Sequence, residues 1–510
     1  MKGGGPLSTL LAGVLLLTAA GLFSQVVGFV YRMLLSRLVG AEIMGLYQLV
    51  MPVYSVLMSV TAVGLTVAVS TLSARYHALG DDGTVKNVLR RALGGFFMLA
   101  APLGMTAAAL SDPISVYLLG DARTRLGLVL LVPCVLLTGV ENLHKHCFYG
   151  IGRVGPPAAV EIAEQIIRAA AVLGLLVALL PRSAEETVGA IVLGMVLCEV
   201  FSACTLTLLL RRHWRQPKVG PARNEVSRAR LFHIAAPVGA TSLLGTLLSC
   251  ANSVLIPAKL VEGGLTLSDA MSEFGVLCGM TLPLLALPTG FIGSVCLVMV
   301  PDLSRRTAQG NRRAAGSLLD RVMSATSLLT APAMALLTVV GPTVGRAMFR
   351  NARVGELIVP LAVGTLLGCW QSVLSGALNG LGLQGKGARN AILSDAVQLA
   401  FTFFAVPRWG LAGFAAGFVA SGLVGAGLNL ASALQAASLR PQLFRWFVRP
   451  VLAAVFMGLW CNLLFRVMLD AGCGQWGTVL ICALLGLALY AAALLAQGLS
   501  VNLVYQRWRR

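Results

Sequence analysis

Glu164 and Arg168 stand four residues apart in a stretch that is otherwise almost wholly apolar. On a helix that spacing puts both on one face, close enough to pair. Glu161 lies one turn earlier on the same side. Glu199 follows in another apolar stretch with no opposite charge on its own helix. It needs either a cation from a neighbouring helix or a proton, which makes it a candidate coupling carboxylate. Asp395 occupies a third such stretch. Ionisable groups in these surroundings are costly and mark a protein interior or a wet cavity. Glu161, Glu164, Arg168, Glu199 and Asp395 are therefore read as a coupling or structural polar network. The plainer alternative for Glu164 and Arg168 is a pair that neutralises itself.

Arg32 and Arg37 follow the first apolar run, where they can snorkel to an interface or face a cavity. Asn252 and Lys259 lie in and just beyond the seventh run. The run Glu141-Asn142-Leu143-His144-Lys145-His146 holds two histidines with metal-ligating chemistry. A wet helix end accounts for it more simply. The 11 cysteines are scattered singly, with no pair spaced as CxxC. They read as small packing residues, so neither a metal site nor a disulfide framework is expected. No phosphate-loop signature and no nucleophile–base constellation occurs, and neither catalysis nor a cofactor is expected. Pro283 and Pro288, five apart in one apolar run, mark a candidate hinge.

The elements that hold these residues follow from composition. Of 510 residues, 57% are hydrophobic and only 12% charged, against roughly 25% charged in a soluble domain. So little charge cannot keep a chain of this size dispersed in water. A spanning helix needs about 20 mostly apolar residues. Candidate spans fall at 8–30, 43–70, 92–111, 126–147, 157–180, 187–210, 231–255, 274–299, 318–341, 354–379, 389–407, 410–436, 448–468 and 477–499. The expectation is an all-α polytopic membrane protein of about 14 transmembrane helices. The net charge of +19 comes from basic residues in short breaks between runs. This suits anionic lipid and excludes a nucleic-acid binder. With the N-terminus inside, the basic breaks fall mostly on the cytoplasmic side, which places both termini there in a bacterial cytoplasmic membrane.

A shift of 230 residues brings two halves into register. Arg75 and Gly80 meet Arg305 and Gly310; Gly150, Gly152 and Gly155 meet Gly380, Gly382 and Gly385. Asp395 meets Gln165. Six helices per copy is an even number, so both copies enter the membrane the same way, as parallel repeats. The expected domains are an N-terminal six-helix lobe at 1–212 and a basic cytoplasmic linker at 213–230. A second six-helix lobe follows at 231–439, with two further helices and a short basic tail at 440–510. Two bundles around a central space suit alternating access.

The segment Leu15–Asp81 carries Gly21-Leu22-Phe23-Ser24-Gln25-Val26-Val27-Gly28-Phe29-Val30-Tyr31-Arg32, then Leu38-Val39-Gly40-Ala41-Glu42, Gly45-Leu46-Tyr47 and Gly64-Leu65-Thr66-Val67-Ala68-Val69-Ser70. Together with Phe148-Tyr149-Gly150-Ile151-Gly152 and Leu378-Asn379-Gly380-Leu381-Gly382, it resembles the stage V sporulation protein B group. That group belongs to the polysaccharide-exporter branch of the multidrug/oligosaccharidyl-lipid/polysaccharide flippase superfamily. The resemblance implies a secondary transporter, not an enzyme, with two six-helix lobes about a central cavity. It would flip an undecaprenyl-pyrophosphate-linked peptidoglycan or polysaccharide precursor, with spore cortex synthesis as the setting. Arg32 stands where the family has a first-helix arginine, and the resemblance assigns head-group binding to it; Arg37 and Lys259 are read as its basic partners in head-group binding. A coupling cation or proton is implied alongside membrane lipids. An ion-coupled multidrug efflux antiporter of the same fold and a non-transporting scaffold for envelope synthesis are the alternatives.

Overall fold

The computed structural model describes residues 6–181, 183–214, 227–437 and 440–497. The described residues are helical with short turns and no strand. That is the expected solution for apolar runs whose backbone must bond to itself. Residues 215–226 of the expected linker and 498–510 of the expected tail lie outside the described set.

The helices are α1 (Pro6–Met58), α2 (Gly64–Ala78), α3 (Asp82–Ala109), α4 (Arg125–Gly150), α5 (Gly155–Leu179), α6 (Ala184–Trp214), α7 (Arg228–Glu262) and α8 (Leu267–Phe274). They continue as α9 (Phe291–Ala308), α10 (Arg312–Phe349), α11 (Ala352–Gly380), α12 (Gln384–Phe404), α13 (Leu411–Ala437), α14 (Arg449–Asp470) and α15 (Gln475–Ala496). Among the described residues, 12 helical stretches are long and apolar enough to cross a membrane. Two local features separate this number from the expected spans. The first two spans are one helical stretch, Thr18–Ala78, with a break at Gly40 (φ 81°, ψ 177°). The span expected at 389–407 is present as α12, but Arg389, Asn390, Asp395 and Gln398 dilute its apolar content.

The chain divides into two compact units, 1–275 and 276–510. This division falls after α8, whereas the sequence places a linker at 213–230. In the first unit α4 packs on α2, α3 and α6, while α5 packs on α1 and α6. Phe96, Phe148, Leu89 and Leu143 fill the core there, each 2% exposed or less. One crossing requires glycine on both sides. A Cβ on Gly45 would stand 2.0 Å from the Met271 carbonyl oxygen, and one on Gly275 would stand 1.9 Å from that of Ala41. Such backbone approach is how small residues join helices in lipid. Just beyond the Gly40 break, Glu42 and Asp121 both pair with Arg123, at 2.7 Å each.

In the second unit α11 is central, against α9, α10 and α13, and α13 in turn packs on α12. Trp370, Trp446 and Leu319 anchor its core. α9 is preceded by a broken stretch made of a π turn (Gly275–Thr281), a short helix (Leu282–Ala286) and a 3-10 turn (Leu287–Thr289). Pro283 and Pro288 sit in the last two pieces.

The 230-residue repeat is written in the backbone. Left-handed residues close helices at Gly80 and Gly310 (φ 69° and 70°) and at Gly152 and Gly382 (71° and 75°). The same offset relates Gly120 to Arg350 (74° and 54°) and Leu180 to Gly410 (45° and 57°). Asp81 and Asn311, also 230 apart, each cap the next helix by accepting from the backbone N–H of Thr84 and Ala314 at 3.0 Å.

Candidate functional site

Three helices of the first unit converge on one buried ionic cluster. α4 contributes Glu141 and Lys145, α5 contributes Glu164 and Arg168, and α6 contributes Glu199. Lys145 Nζ lies 2.5 Å from Glu141 Oε1 and 3.4 Å from Glu164 Oε2. Arg168 Nη2 donates to Glu164 Oε1 and lies 3.3 Å from Glu199 Oε1. Glu141, Glu164 and Glu199 are 2%, 5% and 2% exposed. Their carboxylates present oxygens within 4.8 Å of one another. Three carboxylates against two cations leave one negative charge uncompensated when all are ionised. Burying a net charge in a low-dielectric bundle is costly. Glu199 Oε2 is buried and accepts no hydrogen bond among the described residues. Glu199 and Glu141 present carboxylate oxygens within 4.8 Å of each other.

The second unit holds a neutral counterpart at the same offset. Gln371, Ser394, Gln398 and Asn429 stand 230 residues after Glu141, Glu164, Arg168 and Glu199. They too link three helices, α11, α12 and α13. Gln371 Nε2 donates to Ser394 Oγ at 3.3 Å, and Asn429 Nδ2 donates to the Gln371 carbonyl at 3.4 Å. Ser421 Oγ donates to Gln398 Oε1 at 3.3 Å, and Asn390 Nδ2 donates to Asn429 Oδ1 at 3.0 Å. Amides and hydroxyls thus suffice to tie these three helices together. The charges in the first unit are more than packing requires.

The structure brings together Glu164, Arg168 and Glu199, which the sequence singles out. Glu161 is half-buried near Lys145 without forming an ion pair. Asp395 is half-buried, with no hydrogen bond or ion pair among the described residues; its neighbours Ser394 and Gln398 carry the network instead. Arg32 and Arg37 are exposed on α1. Lys259 pairs with Glu262 at 2.6 Å near the end of α7. The reading of Glu141–His146 as a wet helix end is corrected: Glu141 is buried and Lys145 points inward. His144 takes no part in the cluster; it bonds the Val140 carbonyl through Nδ1 at 2.7 Å. The signal for Glu141 and Lys145 was their own i,i+4 spacing and the apolar surroundings of the repeat partner Gln371.

The model of the family described as "Polysaccharide biosynthesis protein" matches residues 10–307. That range is more than half of the chain and holds the whole ionic cluster. The chain belongs to the polysaccharide biosynthesis protein family. This polysaccharide biosynthesis protein is 26% identical over 424 residues to stage V sporulation protein B of Bacillus subtilis (strain 168), covering 81% of each chain. It is 22% identical over 363 residues to the lipid II flippase MurJ of the same organism, covering 66% of this chain and 65% of the relative. In that match the chain spans just under two thirds of the relative's length. A solved structure described as "Lipid II flippase MurJ, inward closed conformation" shares the fold at a TM-score of 0.70 and 13% identity. That match covers 97% of this chain and 100% of the other.

The second unit of this family member also carries an apolar groove of about 400 Å³. Met334 and Val339 of α10, Val363 and Leu366 of α11, and Val455 and Leu459 of α14 line it. Gly458 opens its floor, because a Cβ there would meet the nearest atom, Ala335 Cβ, at an ordinary 3.7 Å.

Proposed function

We propose that this protein is a secondary transporter that flips an undecaprenyl-linked peptidoglycan or polysaccharide precursor across the bacterial cytoplasmic membrane. The observation that carries the reading is the family match over 10–307, the part of the chain that contains Arg32 and the ionic cluster. A relative named as a lipid II flippase supports this substrate class, and one named as a sporulation protein supports spore cortex synthesis as one setting. The chemistry agrees. A pyrophosphate head needs cations, and Arg32 and Arg37 are exposed basic groups on α1. A prenyl tail needs apolar surface, and the second unit by itself carries an apolar groove between α10, α11 and α14. Lys259 joins the head-group site by exchanging Glu262 for the substrate.

The ionic cluster is the coupling site. It takes up a proton or cation at Glu141, Glu164 and Glu199 and passes through a state with its charge balanced. In this reading the Thr18–Ala78 stretch crosses twice about Gly40 and α12 crosses once, which gives about 14 spans with both termini in the cytoplasm. The broken stretch around Pro283 and Pro288 is the hinge. Proteoliposomes carrying a fluorescent undecaprenyl-linked sugar test the function. Arg32→Ala should slow flipping by about tenfold or more, with unchanged expression and folding. Normal flipping by a well-folded Arg32→Ala protein contradicts the assignment.

A further inference from the structure

The first unit has a pocket lined by none of the residues of the ionic cluster. It is a cavity of about 630 Å³ against α3, α4 and α6. Each helix presents one stripe to it: Lys86, Arg90, Leu93 and Phe97 of α3; Val140 and His144 of α4; Thr207, Arg211 and Trp214 of α6. These spacings of three and four put each stripe on a single helix face. The polarity is graded along the helices. Lys86 and Arg90 lie near the start of α3, and Arg211 and Trp214 lie at the end of α6. Phe97, 44% exposed, lies eleven residues beyond Lys86, or about 16 Å deeper at 1.5 Å per residue. Lys86, Arg90 and Arg211 form no ion pair or hydrogen bond among the described residues.

The repeat indicates what such a pocket holds. In the second unit the equivalent place is filled by the chain itself, at Phe444–Val448. Trp446, 0% exposed, donates its indole N–H to Asp320 at 2.7 Å, and Arg445 pairs with the same carboxylate. Phe447 packs edge-on against Trp370, with ring centroids 5.2 Å apart. Asp320 is the repeat partner of Arg90, and Trp370 that of Val140. So where the second unit has an acid that captures a cationic, aromatic plug, the first has an arginine between two further cations. Where the second has an indole, the first has a valine. The occupant of the first pocket must be apolar below and anionic above.

We propose that this pocket binds an anionic glycerophospholipid. Its phosphate lies among Lys86, Arg90 and Arg211, and an acyl chain runs over Leu93 and Val140 to Phe97. Trp214 sits at headgroup level, as interfacial tryptophans do. With the basic connectors cytoplasmic, the pocket opens to the inner leaflet, where anionic lipids attract juxtamembrane Lys and Arg.

The test is lipid titration of delipidated, purified protein, read by native mass spectrometry. The probes are phosphatidylglycerol, phosphatidylcholine with the same chains, and inorganic phosphate. Wild type should bind phosphatidylglycerol about tenfold or more tightly over phosphatidylcholine, and inorganic phosphate should not compete at equal concentration. K86Q/R90Q/R211Q should lose that preference. Val140→Trp, which fills the pocket as the second unit fills its own, should weaken binding with all three cations present. R305Q/R312Q/R313Q, with the same charge loss in the second unit, should bind as wild type does. Equal binding of the two lipids by wild type, full retention of the preference in K86Q/R90Q/R211Q, or wild-type affinity in Val140→Trp overturns the proposal. So does displacement by inorganic phosphate, which would make the site one for a free anion. The readout is independent of flipping.

Discussion

Arg168 on α5 lies 3.3 Å from Glu199 on α6 while also donating to Glu164 on its own helix. One guanidinium therefore holds two buried carboxylates, and Lys145 holds Glu141 and Glu164 in the same way. Removing Arg168 alone would leave three buried carboxylates facing a single cation. Arg168→Gln should therefore destabilise the protein by about 3–5 kcal/mol, the usual cost of stripping one partner from a buried pair. Unfolding in detergent measures this, and a loss under 1 kcal/mol would show the cluster to be well solvated.

The neutral counterpart offers a cleaner operation. E141Q/K145S/E164S/R168Q/E199N writes the residues of the second unit into the first at the 230-residue offset. This variant should fold, because amides and hydroxyls at those positions already tie α11 to α12 and α13. It should lose the dependence of flipping on an imposed proton or sodium gradient. Gradient dependence equal to wild type would remove the cluster from coupling.

The groove in the second unit can be filled without touching charge. Gly458→Leu places a side chain into space now lined by Val455, Leu459 and Met334. Flipping of a long-prenyl substrate should fall several-fold, while an analogue with a short chain should be less affected. Equal loss for both chain lengths would show that the groove does not hold the tail.

Two backbone positions carry left-handed geometry on residues with a Cβ, Leu180 and Arg350, where their repeat partners Gly410 and Gly120 do not. Arg350→Gly and Leu180→Gly should each stabilise by up to about 1 kcal/mol, since left-handed geometry costs a non-glycine residue roughly 1–2 kcal/mol. Thermal unfolding of the single and double variants checks it. In the opposite direction, Gly45→Val drives a side chain into the Met271 carbonyl and should cost about 1–3 kcal/mol or more.

These residues also mark what can be read from the chain before it folds. The helices are legible because lipid leaves the backbone no other partner. The repeat is legible through Gly80 with Gly310 and Gly152 with Gly382, since turns of positive φ select glycine whatever the neighbouring side chains. Glu164 with Arg168 is legible because charge in an apolar run stands out. Glu141 and Lys145 are obscured by their place near the end of a span, where charge is ordinary until burial is known. The neutral network is hidden for a different reason: Gln371, Ser394 and Asn429 are unremarkable types, and only contact between three helices gives them meaning. The pocket at Arg90 emerges from the contrast with Asp320, which the folded halves make visible.

The central claim is tested most directly by unidirectional flipping of a fluorescent undecaprenyl-pyrophosphate sugar in proteoliposomes of the wild-type protein, scored by quenching of the label exposed on the outer face. The account predicts flipping well above protein-free vesicles, accelerated by an ion gradient, and slowed about tenfold by Arg32→Ala. Flipping no faster than in empty vesicles, with the same protein exporting a soluble cationic drug in a parallel assay, would contradict it.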